Sequence, residues 1–153
     1  MIQNKSPKTN ALDKALNLLS SKHRRNYKQK LHEEVRNYII KNLGLIKRGL
    51  EFVEKELRVF GGYIDIVAKD DRSFYLIELK TCLSKYFSKD IKWKAKQLLK
   101  QKNGLQHVAS LFLDKELDIK LLLVEYLRDI KKLQIKTIDD SGNITELSEV
   151  LLR

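Results

Sequence analysis

The chain has almost no cysteine or proline, and it lacks any long apolar segment. Its 153 residues include a single cysteine, Cys82, and a single proline, Pro7. One thiol cannot form an intramolecular disulfide or a cysteine-cluster metal site, so we expect an intracellular protein. No apolar run approaches the roughly eighteen residues that a membrane span requires, and the polar N-terminal residues do not form a signal peptide. These absences predict a soluble protein with no membrane partner.

The chain is strongly basic. It has 31 lysine and arginine residues against 20 aspartate and glutamate residues, and its formal net charge at pH 7 is +11. An excess of this size favours binding to a polyanion, although lysines also solubilise the helices of any lysine-rich protein. Much of the excess positive charge lies after residue 80, on a predicted helix that also contains a tryptophan. The predicted nucleic-acid-binding residues are Lys85, Lys89, Lys92, Trp93, Lys94, Lys96, Arg24 and Arg25.

Two adjacent segments predict an antiparallel hairpin that brings two carboxylates together. The segments 63–68 and 74–80 are rich in β-branched and aromatic residues, and a short polar turn joins them. A hairpin that folds at the middle of this turn places Asp65 directly opposite Glu78. Lys80 follows Glu78 by two residues and therefore shares its face of the sheet.

The polar residues of this hairpin favour a metal site over an ordinary solvated face, which is the alternative. Opposite residues have Cβ atoms about 5 Å apart, and two like charges at that distance destabilise a sheet. A hard cation such as Mg²⁺ binds one or two carboxylates together with substrate phosphate, so it would convert this repulsion into binding. The other face of the hairpin is strongly apolar, with Ile64, Ile66, Ile77 and Leu79.

The hairpin resembles the PD-(D/E)XK nuclease superfamily, whose mark is an aspartate on one strand and Glu-x-Lys on the next. The stretch from Leu31 to Thr81 is most similar to the C-terminal catalytic domain of NucS-type endonucleases. Those enzymes reach a Gly-x-Ile-Asp strand through an Asn-x-x-Leu-Ile-x-x-Gly-Leu segment, which here occupies residues 42–50. The resemblance implies an α/β (α+β), restriction-endonuclease-like fold: a mixed central sheet with a catalytic antiparallel hairpin, flanked by helices.

The resemblance also implies a catalytic set and a cofactor, Mg²⁺ or Mn²⁺. Asp65 and Glu78 would bind the metal, with the Leu79 carbonyl as a third ligand. Lys80 would orient or help deprotonate the attacking water and offset charge on the phosphate. Together these groups would hydrolyse a phosphodiester bond.

Two further catalytic candidates lie on the helices. The superfamily tends to place an acidic residue on its first core helix, and the helical wheel favours Glu34 over Glu33. The alternative is that Glu34 is an ordinary surface glutamate. Many relatives carry a glutamine on the helix after the Glu-x-Lys strand, here Gln97, but the tyrosine expected four residues later is replaced by Gln101.

The expected function is metal-dependent endonucleolytic hydrolysis of DNA, on branched or single-stranded substrates if the resemblance extends that far, in DNA repair or recombination. One alternative is a non-catalytic DNA-binding protein that kept the nuclease fold, and another is an RNA-processing nuclease. The presence of all three motif residues favours an active enzyme, because phosphate affinity alone does not need two carboxylates facing a polyanion. Such an enzyme would be cytoplasmic or nucleoid-associated. A homodimer is left open.

The remaining pattern predicts one domain over residues 1–153, since this length suits a single core. Apolar periodicity predicts helices over 10–22 and from Lys28 to Leu43, and a strand from Leu50 to Phe60 with Val53, Lys55, Leu57 and Val59 on one face. The later elements are a helix from Ser88 to Leu113 with an interruption at Asn103-Gly104, strands Ile119–Leu127 and Leu133–Ile138, a turn at 141–143 and a terminal helix Thr145–Leu152.

Overall fold

The computed structural model of the chain describes residues 29–59, 62–84, 91–113 and 116–152. The chain divides into two compact units, Met1–Glu34 and Val35–Arg153. All the described strands lie in the larger unit. The predicted helix over 10–22 and the predicted helix start at Ser88 lie outside the described residues. The single domain over 1–153 stays a prediction.

The described elements are two helices, a short 3-10 turn and six strands. Helix α1 covers residues 29–41, and the turn Leu43–Leu45 follows it. The strands are β1 (Glu51–Val59), β2 (Gly62–Lys69), β3 (Phe74–Cys82), β4 (Ile119–Leu127), β5 (Lys132–Ile138) and β6 (Ile144–Leu151), and helix α2 (Ile91–Leu113) lies between β3 and β4. No helix in the described part of the chain is long and apolar enough to span a membrane.

The six strands form one mixed sheet in the order β1-β2-β3-β4-β5-β6. Every neighbouring pair is antiparallel except β3 and β4, which are parallel. Parallel neighbours cannot be joined by a tight turn, so the chain crosses over between them, and α2 is that crossover. The observed sheet and helices confirm the predicted mixed α+β fold of the restriction-endonuclease-like kind.

Helix α2 packs on one face of the central strands. Its buried residues Ile91, Ala95 and Leu98 share a core cluster with residues of β2, β3 and β4. The opposite face is also buried, as Ile66, Ile77, Leu79, Leu122 and Val124 show. Charged side chains on β3 and β4 are therefore unusual, since an unpaired charge is costly to bury.

The terminal segment is a strand, and the prediction of a helix over Thr145–Leu152 was wrong. Strand β6 pairs antiparallel with β5 from Ile138↔Ile144 to Lys132↔Leu151. Eight residues are too few for a stable isolated helix, whereas pairing with β5 satisfies their backbone groups. The turn before β6 was predicted correctly, because Gly142 there adopts a φ of 84°, which glycine tolerates without strain.

Two other local predictions were wrong. Helix α2 runs through Asn103 and Gly104 without interruption, because packing of the whole helix against the sheet outweighs the low helix propensity of these two residues. In β1 the register shifts between Phe52 and Glu54, which breaks the regular alternation that would place Val53 on one face with Lys55, Leu57 and Val59, and Val53 is 41% exposed. Such a bulge suits an edge strand, where one extra residue bends the chain.

A polar network joins the loop after α1 to the turn between β2 and β3. The Lys47 ammonium donates hydrogen bonds to Asp70 Oδ2 (2.5 Å) and to the Tyr75 hydroxyl (2.6 Å). Asp70 also accepts backbone N–H bonds from Arg72 and Ser73. The Lys47 ammonium, with these N–H groups, holds the pKa of Asp70 well below its usual range. The network keeps the hairpin turn in one conformation.

Replacing Asp70 by Asn tests this network through its pH dependence. Because the folded pKa is lowered, Asp70 stabilises the protein fully above its unfolded pKa of about 4 and loses this effect as the pH falls towards the folded pKa. We expect Asp70→Asn to melt at a lower temperature than wild type at neutral pH, and the difference to shrink in acid below about pH 4. Thermal unfolding across this range measures it. Asp71→Asn, at an exposed neighbour, is the control; an equal deficit in that variant would contradict the assignment.

Candidate active site

Strands β2 and β3 have the register that a symmetric hairpin predicts. The ladder runs from Lys69↔Phe74 to Ile66↔Ile77. The paired positions end there, and Asp65 and Glu78 are the next residue on each strand. Glu78 shares a face of β3 with Leu76, and Asp65 shares a face of β2 with Val67, and both of these apolar residues belong to the core cluster of α2. The two carboxylates therefore belong to the face that α2 covers.

Beyond the end of the β2–β3 ladder, the Asp65 carboxylate takes the place of a backbone hydrogen-bond partner for β3. Its Oδ2 atom accepts a hydrogen bond from the backbone N–H of Leu79 at 2.8 Å. The N–H and C=O groups of one extended residue point to the same side of a strand, so the Leu79 carbonyl is also directed towards β2. Two acidic residues and one carbonyl therefore lie at this end of the hairpin.

Glu78 is the second acidic side chain, and it pairs with a lysine of α2. Lys94 Nζ lies 3.1 Å from Glu78 Oε1, and the two side chains are 24% and 14% exposed. The like-charge repulsion expected of Asp65 and Glu78 is thus relieved by the Leu79 N–H on one carboxylate and the Lys94 ammonium on the other. Lys94 is in contact with the acidic site itself, and α2 passes directly beside it.

Lys80 lies on the same face of β3 as Glu78. Its ammonium nitrogen is buried and has no hydrogen-bond partner among the described residues. Its register partner on the parallel strand β4 is Glu125, which is completely buried. Glu125 Oε1 accepts a 2.6 Å bond from the ammonium of Lys136, which is 7% exposed.

Glu125 and Lys136 were missed by the sequence analysis. A signal was nevertheless present, because Glu125 interrupts the apolar run of β4, and glutamate is almost never fully buried without a partner. The position of that partner on β5 could not be known without the pairing of β4 with β5. The two residues add a buried ion pair next to Lys80.

Gln97 packs against the start of β2. A Cβ atom placed on Gly62 would lie 2.6 Å from Gln97 Nε2, so any side chain at this position would displace the end of Gln97. Gln101, where relatives carry a tyrosine, is buried and donates a 3.3 Å hydrogen bond to the Val59 carbonyl. Both amides therefore lie at the adjoining ends of β1 and β2, and Gln101 has a structural role at the end of β1.

The other predicted residues are placed as follows. Glu34 is exposed on α1 and is the last residue of the smaller unit. Lys92 and Lys96 are exposed on α2, and Trp93 between them is 64% exposed. The remaining predicted nucleic-acid-binding residues lie outside the described ranges, namely Lys85, Lys89, Arg24 and Arg25.

The donor set suits a hard divalent cation. Within the four described ranges, no group of three or more His, Cys, Asp or Glu side chains is arranged to hold a metal ion. Asp65, Glu78 and the Leu79 carbonyl supply only oxygen atoms, and such ligands suit Mg²⁺ or Mn²⁺. Mg²⁺ typically takes one or two protein carboxylates and completes its coordination with water and substrate phosphate. The residues present therefore fit a magnesium or manganese site.

Comparisons with known proteins relate the chain to one family of known description. Residues 31–146 match the family model described as the endonuclease NucS C-terminal domain. No curated protein matches the chain. Among solved structures, that of SfsA from Pyrococcus furiosus in complex with Ca²⁺ is similar, with 16% sequence identity and a TM-score of 0.37. The similar region covers 82% of this chain and 65% of that protein, so this chain matches less than two thirds of its length.

The thiol of Cys82 reports on the charges beside Lys80. Burial raises the pKa of Cys82, the Glu125 carboxylate raises it further, and the Lys80 ammonium lowers it. We therefore expect Glu125→Gln to lower the pKa of Cys82 and Lys80→Met to raise it. The rate of iodoacetamide alkylation as a function of pH measures both shifts, because only the thiolate reacts. Glu146→Gln, on the edge strand β6, serves as the control. Shifts in the same direction for the first two variants would show that Cys82 does not sense these charges.

Proposed function

The chain belongs to the family of the endonuclease NucS C-terminal domain, and from that premise we propose that it hydrolyses DNA phosphodiester bonds in a Mg²⁺- or Mn²⁺-dependent reaction. The family implies a nuclease. The proposal for this chain is supported by one observation above all: Asp65 and Glu78 adjoin the last paired positions of the hairpin, Ile66↔Ile77, and Asp65 accepts a hydrogen bond from the Leu79 N–H, next to Glu78 and one residue before Lys80.

Asp65, Glu78 and the Leu79 carbonyl would hold the cation. When bound, the cation acts as a Lewis acid that polarises the phosphoryl group and makes water more acidic. The Leu79 N–H keeps the Asp65 carboxylate in one orientation, so this ligand is fixed before the cation arrives. Lys94 would leave Glu78 when the cation binds, and its ammonium is then available to the phosphate backbone.

Lys80 would orient the attacking water and offset the negative charge that develops on the phosphate. Its ammonium nitrogen is buried, and a charge acts more strongly on a reacting group in such a site than in open water. A catalytic role for Glu34 stays a prediction. Gln97, which contacts the backbone of Gly62 three residues before Asp65, is proposed to support the start of the aspartate strand.

The exposed side of α2 would bind the nucleic-acid backbone. Lys92, Lys96 and Lys100 recur every four residues, so they form one exposed stripe along the helix. Trp93 presents an exposed indole beside this stripe, and such rings stack on unpaired bases. Because Lys94 contacts Glu78, the stripe lies on a helix that adjoins the candidate cleavage site. An unpaired or branched DNA strand is the substrate that suits an exposed tryptophan.

The catalytic assignment predicts that single alanine substitutions of Asp65, Glu78 and Lys80 each abolish cleavage. The loss should be at least about a hundredfold, because electrostatic stabilisation of the transition state is usually the largest catalytic term. Labelled duplex, flap, junction and single-stranded DNA, with matching RNA, are incubated with Mg²⁺, Mn²⁺ or EDTA. Glu146→Ala, on the edge strand β6, is the control and should cleave like wild type. If Lys80→Ala cleaves at the wild-type rate, or if EDTA has no effect on wild type, the assignment is wrong.

The binding surface predicts a change in the salt dependence of DNA affinity. Each lost phosphate contact should reduce the slope of log affinity against log salt by about 0.9 on duplex DNA. We therefore expect Lys92→Ala/Lys96→Ala to flatten the slope of binding measured in EDTA. Lys41→Ala/Lys69→Ala removes the same charge from exposed positions off α2 and is the matched control. Equal slopes for the two double variants would move the binding surface away from α2.

A further inference from the structure

A buried ion pair lies on the catalytic face of the sheet and has no role in the chemistry described above. Glu125 of β4 is 0% exposed, and Lys136 of β5 is 7% exposed. Their side chains meet at 2.6 Å through Glu125 Oε1. A buried ion pair is a weak source of stability, because desolvation of the two charges offsets their attraction. Its presence beside the candidate site therefore calls for another explanation.

The second carboxylate oxygen of Glu125 and the ammonium of Lys80 are both buried without a hydrogen-bond partner among the described residues. The two residues are register partners on the parallel ladder of β3 and β4, so their side chains project from the same face of the sheet as neighbours. Leaving either group unpaired in the interior is costly, and the cost is greatest for charged groups. The two groups do not hydrogen-bond to each other in this structure, but the attraction between a buried anion and a neighbouring buried cation lowers the cost of burying both.

We propose that Glu125 is a positioning residue that holds the Lys80 ammonium in place, and this inference rests on the proposed nuclease function. Lysine has a long flexible side chain, and without an anchor its ammonium would be attracted towards the carboxylates of Asp65 and Glu78. There it would compete with the cation for the same oxygen atoms. Glu125 draws Lys80 to the β4 side of that pair.

Lys136 limits how strongly Glu125 attracts Lys80. Because Lys136 already occupies Glu125 Oε1, the carboxylate shares its charge between two ammonium groups and does not bind Lys80 as an exclusive partner. The three acidic residues Asp65, Glu78 and Glu125 are balanced by Lys80, Lys94 and Lys136. The apo site is thus neutral overall. A bound divalent cation together with a phosphate group would change this net charge only slightly.

Two variants separate positioning from a purely structural role. Glu125→Gln removes the charge at constant shape, whereas Glu125→Gln/Lys136→Met also removes the lysine that would otherwise be buried without its partner. If Glu125 positions Lys80, kcat should fall by at least about tenfold in both variants, since small misplacements of a catalytic group cost this much or more. KM for DNA and the gain in melting temperature on adding Mn²⁺ should stay at the wild-type values. The double variant should recover melting temperature but not kcat.

The structural alternative makes the opposite prediction. If Glu125 only neutralises Lys136, then the double variant regains both stability and kcat. Recovery of kcat in the double variant would therefore overturn the proposal, and so would a wild-type kcat in Glu125→Gln. Because the double variant leaves no unpaired charge at Lys136, it tests the proposal even if Glu125→Gln alone fails to fold.

A second measurement needs neither DNA nor metal. A buried ammonium group that is shielded from water and held near a carboxylate exchanges its protons slowly enough to appear in a ¹⁵N–¹H correlation spectrum of lysine side chains, and Lys80→Met and Lys136→Met assign the two signals. We expect the Lys80 signal in wild type and its loss in Glu125→Gln. A Lys80 signal that is missing in wild type, or unchanged in the variant, overturns the proposal. A protein that shows the expected signals but cleaves no nucleic acid would instead disprove the nuclease function alone.

Discussion

The register of the β2–β3 hairpin is the constraint on which the site depends. Side chains alternate between the two faces of a strand, so a slip by one residue would move Asp65 to the opposite face from Glu78. Ile66 and Ile77 are fully buried on the face opposite α2, and a slip by one residue would turn one of them away from it. The cost of exposing these apolar side chains is what holds two like charges together at the end of the ladder.

The crossover through α2 adds the basic and polar parts of the site to this hairpin. Parallel pairing of β3 with β4 requires a long connection, and the helix in that connection lies over the face that carries the carboxylates. The same connection places Lys94 on Glu78 and leaves Lys92 and Trp93 exposed to solvent. Parallel pairing also places Glu125 beside Lys80. The parallel pairing of β3 with β4 thus determines both the exposed and the buried charged residues of the site.

The elements that were predicted correctly from the sequence depend on short-range interactions, and those that were missed depend on long-range ones. The hairpin was predicted correctly because its register depends on a short turn and on local alternation, and β4 was predicted with its observed bounds because it is one apolar run. Strand β6 and the bulge in β1 were missed because an edge strand is defined by its pairing with a neighbour more than by its own pattern. The continuity of α2 through Gly104 was missed for a related reason, since packing outweighs propensity.

By itself, the sequence determined the acidic pair, the adjacent lysine, the basic charge of the chain and the mixed class of the fold. These features depend on residue types at short separations, where alternation and turn length leave few arrangements. Only the tertiary structure decided which lysine pairs with Glu78 and that Glu125 and Lys136 form a buried pair beside Lys80. The lysine that pairs with Glu78 is 16 positions away in the chain, Lys136 is 11 positions from Glu125, and Glu125 is 45 positions from Lys80. Their proximity depends on strand order and on the crossover, which no local pattern contains.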